Sequence, residues 1–215
     1  MLVFSRRKLI LAGGGLALSS VTSRVRIAEA CGPTQPQAQA PAQAPVATPK
    51  VCATTHDNIE GPYYRTGAPE RWDLTTAGMK GTPLDIEGRV LAADCTTPLR
   101  DAELDIWQAN DEGHYDNDGT MKGVGMLLRG RVRTDGDGRY RIKSILPGRY
   151  LNGKQFRPAH VHVKLRAKDH QTLTTQLYFP DDPFNKIDPF IHQSLVMDVK
   201  KLEGALKARF DFVLA

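Results

Sequence analysis

The sequence predicts an all-β fold, an antiparallel β-sandwich with long loops, on three observations. From residue 51 onward apolar and polar residues alternate over runs of seven or eight positions, the period of a strand with one buried face. Turn-forming residues recur between those runs, most densely at Asp135-Gly136-Asp137-Gly138. Only residues 198–205 have much helical character.

In chain order, Leu84-Asp85-Ile86-Glu87-Gly88-Arg89-Val90 reads as a strand with Leu84, Ile86 and Val90 inward. Residues 102–109 repeat the alternation, with Leu104, Ile106 and Gln108 on one side. Residues 127–145 read as a hairpin, because the Asp-Gly steps at its centre supply the positive φ angles that tight turns need. Further strands are expected at 160–167, 172–179 and 206–214, where Phe210, Phe212 and Leu214 alternate with small or charged residues. Tyr140 and Tyr178 fall inside strands and read as packing residues. No repeat and no second folded domain is expected over residues 51–215.

The first fifty residues belong to a different class. Ser5-Arg6-Arg7-Lys8 precedes a short, glycine-softened apolar run from Leu9 to Leu18, and Ala28-Glu29-Ala30 offers a small-x-small cleavage pattern. Residues 1–30 are therefore expected to be an export signal engaging the export machinery, twin-arginine-like in its paired arginines. A general secretory signal is the alternative. Residues 31–50 are rich in Pro, Ala and Gln, with prolines at 33, 36, 41, 45 and 49, and read as a disordered tether. The expected destination is periplasmic or extracellular, with lipidation at Cys31 as the alternative fate of that residue.

The formal charge of +5 comes mostly from this leader. Beyond residue 30 the chain holds 24 basic against 23 acidic residues, so no basic face for nucleic acid is expected. An oxidising destination favours a disulfide, and Cys52 with Cys95 is the pair inside the fold.

The residues that carry chemistry cluster after residue 107. In Arg157-Pro158-Ala159-His160-Val161-His162, strand periodicity points both histidines to one side, where they could share a metal or a substrate. Tyr115 and Tyr150 each follow a glycine-containing break just past an expected strand, where scaffolds display functional side chains. A phenol ionises near pH 10 in water, but a strong Lewis acid holds it as phenolate at neutral pH. Phenolate oxygen and imidazole together suit ferric iron. A zinc hydrolase would need an acidic base beside the histidines, and none is close in sequence. His56, His114, His170 and His192 lack partner spacing and read as solvated, while Asp181-Asp182 reads as a loop and Asp135/Asp137 as a turn.

Six blocks then recur in order: Gly61-Pro62-Tyr63-Tyr64, Trp107-Gln108-Ala109-Asn110 running to Gly113 and Tyr115, Asp137-Gly138 with Tyr140, Pro147-Gly148 with Tyr150, Arg157 to His162, and Thr175-Gln176-Leu177-Tyr178-Phe179. Together they resemble the intradiol ring-cleavage dioxygenases, in particular the catalytic-subunit type of the protocatechuate 3,4-dioxygenase-like family. The resemblance implies a β-sandwich catalytic domain over 51–215 with long active-site loops. It also implies one mononuclear non-haem Fe(3+) held by Tyr115, Tyr150, His160 and His162. By the same resemblance a catechol-type substrate binds through both oxygens and displaces Tyr150, and O2 opens the ring to a cis,cis-muconate-type diacid. Arg157 would stand against the substrate ring and Gln176 near the iron, with Pro62, Tyr63 and Tyr64 at the pocket mouth. Arg65, Arg71 and Arg129 are candidate partners for a substrate carboxylate. No counterpart of the helical N-terminal region that catechol 1,2-dioxygenases use to dimerise is expected before residue 51, and a homo-oligomer is compatible with the chain. A secreted β-sandwich binding module without catalysis is the alternative function.

Overall fold

The computed structural model describes residues 52–120 and 125–215. The expected export signal, the tether and Cys31 lie outside them. The described chain is all-β, a sandwich of two sheets plus a two-stranded ribbon.

The first sheet centres on β1 (Pro83–Ala92). On one side β1 pairs antiparallel with β4 (Arg139–Ile145), Ile86 opposite Ile142. On the other it pairs parallel with β10 (Ala205–Arg209) and β11 (Phe212–Leu214), and β9 (Asp198–Leu202) pairs antiparallel with β10. The second sheet runs β3 (Arg129–Arg133), β2 (Glu103–Gln108), β7 (His160–Arg166), β8 (Leu173–Tyr178) and is antiparallel throughout. The ribbon is β5 (Tyr150–Asn152) with β6 (Gln155–Arg157).

Alternation fixes what lies between the sheets. Leu84, Ile86 and Val90 meet Leu104, Ile106, Val161, Val163 and Leu165 in one core, closed by Ile142, Leu177 and Phe212. That arrangement turns the other side of β7, with His160 and His162, to the outer face of its sheet. Cys52 and Cys95 are joined as a disulfide, Cα atoms 5.8 Å apart, which anchors the start of the described chain to the turn after β1.

Three expected elements differ. The 127–145 hairpin forms its tight turn, with Gly138 at φ 71°, but its arms enter opposite sheets. Residues 69–74 wedge between them and take the ladder bonds on both sides. Arg131 N–H donates to Pro69 and Arg71 N–H to Arg131; Leu74 N–H donates to Lys143 and Lys143 N–H to Trp72. Gly130 makes room, since a Cβ there would sit 2.4 Å from Leu74 Cδ2. Residues 198–205, expected helical, are β9 and the turn into β10, with Gly204 at φ 71° closing the turn. The strand expected over 206–214 breaks at Phe210-Asp211. There the Asp211 carboxylate accepts from Arg89 N–H at 2.9 Å in place of a backbone carbonyl, and Phe210 O approaches so closely that only glycine fits at Gly88.

Candidate active site

Sheet register assembles the first part of the site. On the outer face of the second sheet, Trp107 on β2, His162 on β7 and Gln176 on β8 form one row, and His160 with Tyr178 the next. Both histidines are 3% exposed. Trp107 stacks on His162 with centroids 4.7 Å apart and planes 8° from parallel. His160 Nδ1–H donates to the Pro158 carbonyl at 2.6 Å, which leaves the lone pair on Nε2. Burial, helped by the Arg157 charge, lowers the His160 pKa to about 4, and burial with His160 beside it pushes His162 well down. Both rings are therefore neutral at pH 7, the form that ligates.

The loop after β2 brings Tyr115 over these rings. Asn110 organises it: its side-chain oxygen accepts from the N–H groups of Glu112 and His114, and its carbonyl from those of Gly113 and Gly148. The last of these bonds joins the Tyr115 loop to the Tyr150 loop. The two touch so closely that a Cβ on Gly113 would lie 2.2 Å from the Arg149 carbonyl oxygen, and one on Gly148 2.4 Å from that of Asp111. Beneath them Gln108 donates to the Ile145 carbonyl at 3.0 Å and accepts from Ser144 at 2.8 Å, locking the ends of β2 and β4 together.

The Tyr115 hydroxyl lies 3.1 Å from His162 Nε2 and 3.4 Å from His160 Nε2. The Tyr150 ring completes the cluster, its centroid 5.9 Å from that of Tyr115 and 6.2 Å from that of His160. Tyr63 stacks on Tyr115 at 4.3 Å and meets Tyr150 edge-on at 5.7 Å, roofing the cluster. Burial raises the Tyr115 phenol pKa, and burial with the neighbouring Tyr63 raises that of Tyr150. Without a cation both phenols are neutral. Among the described residues no three His, Cys, Asp or Glu side chains gather, so the donors available beside the two imidazoles are phenols.

Arg157 ends β6 directly opposite Tyr150 in the ribbon. The residue is 5% exposed, and its guanidinium donates to Gln176 Oε1 at 2.8 Å, Tyr178 Oη at 3.1 Å and Asp188 Oδ2 at 2.9 Å, and lies over the Phe190 ring at 4.9 Å. Tyr178 is thus not a plain packing residue: its hydroxyl also donates to Gln176, and burial pushes its pKa up to about 12. Alternation could have found Tyr178, two residues after Gln176 on the same face. Asp188 and Phe190 follow no such period, and no spacing signal marks them.

All six expected site residues, Tyr115, Tyr150, His160, His162, Arg157 and Gln176, come together. The expected carboxylate partners are committed elsewhere. Buried Arg129 pairs with Asp116, which also receives Arg65 at 3.2 Å, and Arg71 donates to the carbonyls of Arg129 and Met126. Tyr140 packs as expected, its hydroxyl on the Phe210 carbonyl. His56 and His192 stack on each other at 4.0 Å at the surface, and His114 pairs with Asp118. Asp182 is not a free loop residue, since it is buried and fully hydrogen-bonded.

The family model described as "Dioxygenase" matches residues 59–215. The chain belongs to the intradiol ring-cleavage dioxygenases. It is 32% identical over 181 residues to a hydroxyquinol 1,2-dioxygenase of Rhizobium sp. (strain MTP-10005), covering 74% of this chain and 60% of that protein. It is 34% identical over 166 residues to the catechol 1,2-dioxygenase of Acinetobacter baylyi, covering 67% and 53%. This intradiol chain therefore spans little more than half the length of those relatives. Among solved structures, the dioxygenase domain of a dioxygenase carbohydrate-binding protein fusion from Streptomyces sp. SirexAA-E superposes with a TM-score of 0.68 at 38% identity, covering 75% of this chain and 98% of that one.

Proposed function

We propose that this chain cleaves a catechol-type aromatic between its two hydroxylated carbons, incorporating both atoms of O2 into a cis,cis-muconate-type diacid. In this reading Tyr115, Tyr150, His160 and His162 hold one ferric ion. The observation that carries it is the meeting of one phenol oxygen with two imidazole Nε2 atoms at 3.1 and 3.4 Å, with a second phenol ring alongside. The donor set fits the ion: two hard oxygens and two neutral imidazoles, in a buried site where a phenolate needs a compensating cation. When bound, ferric iron would polarise the catecholate and make its ring reactive toward O2.

The residues themselves divide the remaining work. Tyr115, His160 and His162 are buried, with both histidines on the β7 ladder, the His160 ring on the Pro158 carbonyl and the His162 ring stacked on Trp107, so they define the frame. Tyr150 is half-buried and stands on the ribbon, which suits it to leave as the substrate binds and to take up a substrate proton as it does so. Arg157, held by Asp188 and Gln176, supplies a positive charge already in place where negative charge grows on the ring. With Arg129 and Arg71 committed to internal partners, catechols lacking a carboxylate are expected to outrank protocatechuate.

The test is colour together with oxygen uptake. Iron-loaded wild type should show a phenolate-to-iron absorption band and consume O2 with catechol, and His160→Ala should lose both. Full activity in an iron-free His160→Ala preparation would overturn the assignment. Uptake across catechol, hydroxyquinol, caffeate and protocatechuate ranks the substrates. Export belongs to the same proposal. Arg6-Arg7 and the Cys52–Cys95 disulfide support it, and recovery of the protein only from the cytoplasmic fraction would refute it.

A further inference from the structure

The loop after β8 joins two donor-bearing segments through one carboxylate. Asp182, with its side chain 6% exposed, receives hydrogen bonds from three stretches of chain. Arg149 Nε donates to both of its oxygens at 3.1 and 3.0 Å. Ala159 N–H donates to Oδ2 at 3.2 Å and Phe184 N–H to Oδ1 at 3.0 Å. Arg149 immediately precedes Tyr150, and Ala159 immediately precedes His160. The Arg149 guanidinium also lies over the Phe184 ring at 5.3 Å, so the same loop grips it twice.

This contact matters because, apart from ring packing against Tyr63 and Tyr115, little else holds Tyr150. Among the described residues its hydroxyl has no hydrogen-bond partner, and β5 pairs only with β6. An isolated two-stranded ribbon is marginal by itself. What locates the Tyr150 backbone is therefore the approach to it: Gly148 N–H on Asn110 at 2.7 Å, and then Arg149 on Asp182. His160, by contrast, is set by the full ladder of β7. Asp182 transfers that fixed position to the less supported loop.

We propose that Asp182 is a positioning residue which, through Arg149, sets where the Tyr150 oxygen stands relative to His160 Nε2. This deepens the ferric reading above and rests on it. Hydrogen-bond partners just outside a metal's ligands commonly govern metal affinity by about 10- to 100-fold. The carboxylate serves this purpose without touching metal or substrate, and the side-chain carboxamide of asparagine would keep only part of its accepting capacity.

Arg149→Gln is the primary variant, because the Arg149 side chain is 46% exposed and its replacement leaves no buried void. Asp182→Asn is the second, and Arg149→Lys is the rescue. Each is loaded with ferric iron and followed by the phenolate-to-iron absorption band and by the rate of iron loss to a chelator. The melting temperature of each metal-free protein is recorded alongside. Arg149→Gln and Asp182→Asn should shift the band and lose iron about tenfold faster than wild type, with Arg149→Lys in between. An unchanged band and unchanged iron loss in both variants would overturn the proposal, as would lowered melting temperatures with no spectral change, which indicate a structural role alone. A wild-type protein that takes up iron without colour would instead defeat the ferric reading on which the proposal stands.

Discussion

The site has two halves built to different standards. His160, His162 and Tyr115 stand on a four-stranded sheet and on a loop whose backbone groups are bonded to Asn110 and Asp118. Tyr150 and Arg157 face each other across a three-residue pair of strands whose opposite side is exposed, with Leu151 53% and Phe156 44% accessible. The frame is rigid because its donors belong to elements that the core already stabilises. The ribbon owes its placement to side-chain struts, Asp182 on Arg149 and Asp188 on Arg157. The proposed reaction, in which Tyr150 would yield to substrate while three donors stay, calls for this asymmetry.

The comparison breaks most easily at the proposed ligands. Tyr115→Phe should abolish iron retention and activity, whereas Tyr150→Phe should keep iron and lower kcat/KM by about 10²-fold, the loss expected for an acid–base group. Tyr150→Phe keeps iron only in the sense that it still loads; it should lose that iron at least as fast as Arg149→Gln does, and Tyr115→Phe fastest of all. Iron loss to a chelator and oxygen uptake on the two variants decide it, and the reverse ranking would refute the division into frame and ribbon.

A second difference lies in the proton balance of the metal-free protein. Burial holds the His160 pKa at about 4, against about 6.5 for an imidazole in water, so the unfolded chain binds the extra proton between those values. Stability from this group is therefore complete above about pH 6.5 and is lost as pH falls toward 4, on the order of 3 kcal/mol. His162 shifts in the same direction. Tyr150, on the ribbon, is shifted upward and adds no pH dependence in that window. Urea denaturation at several pH values, wild type against His160→Gln, should show a smaller acid loss in the variant, which keeps only the His162 contribution.

The seam between the halves comes next in size. A Cβ on Gly148 would strike the Asp111 carbonyl and the Gly113 nitrogen, both 2.4 Å away. Gly148→Ala should destabilise the protein by about 2 kcal/mol, as overpacking does, and weaken iron retention. An equally stable variant would show that the two loops are free to part.

How much of this was legible in the sequence follows from what periodicity can carry. Alternation reports which side chains share a face, so His160 with His162, and the inward Leu104, Ile106 and Gln108, could be read directly. It does not report which sheet an element joins. The arms on either side of Asp135-Gly136 therefore read as a paired hairpin, when the wedge at 69–74, which has no period, separates them. The helical character read over 198–205 yields to the pairing of β9 with β10. Among site residues, those on strands or in motif blocks were visible. Asp182 and Asp188 were not, because a lone aspartate in a loop becomes functional only through the distant arginine that it meets.

Asp188 gives the smallest and sharpest test of the ribbon. Its carboxylate is wholly buried and takes both Nε and Nη2 of Arg157, while accepting from Phe190 N–H at 3.1 Å. The Phe190 ring covers the guanidinium from another side, so Arg157 is held in one orientation beside the proposed ligands. Asp188→Asn keeps the shape, retains one acceptor oxygen and removes the charge pairing. If orientation of Arg157 matters chiefly as charge develops on the ring, kcat should fall about tenfold with KM nearly unchanged, since only an interaction made in the transition state is lost. Asp188→Glu should recover part of the rate. A rise in KM at constant kcat would mean that Arg157 acts in ground-state binding, and the ribbon would then be a binding surface instead of part of the charge-stabilising apparatus.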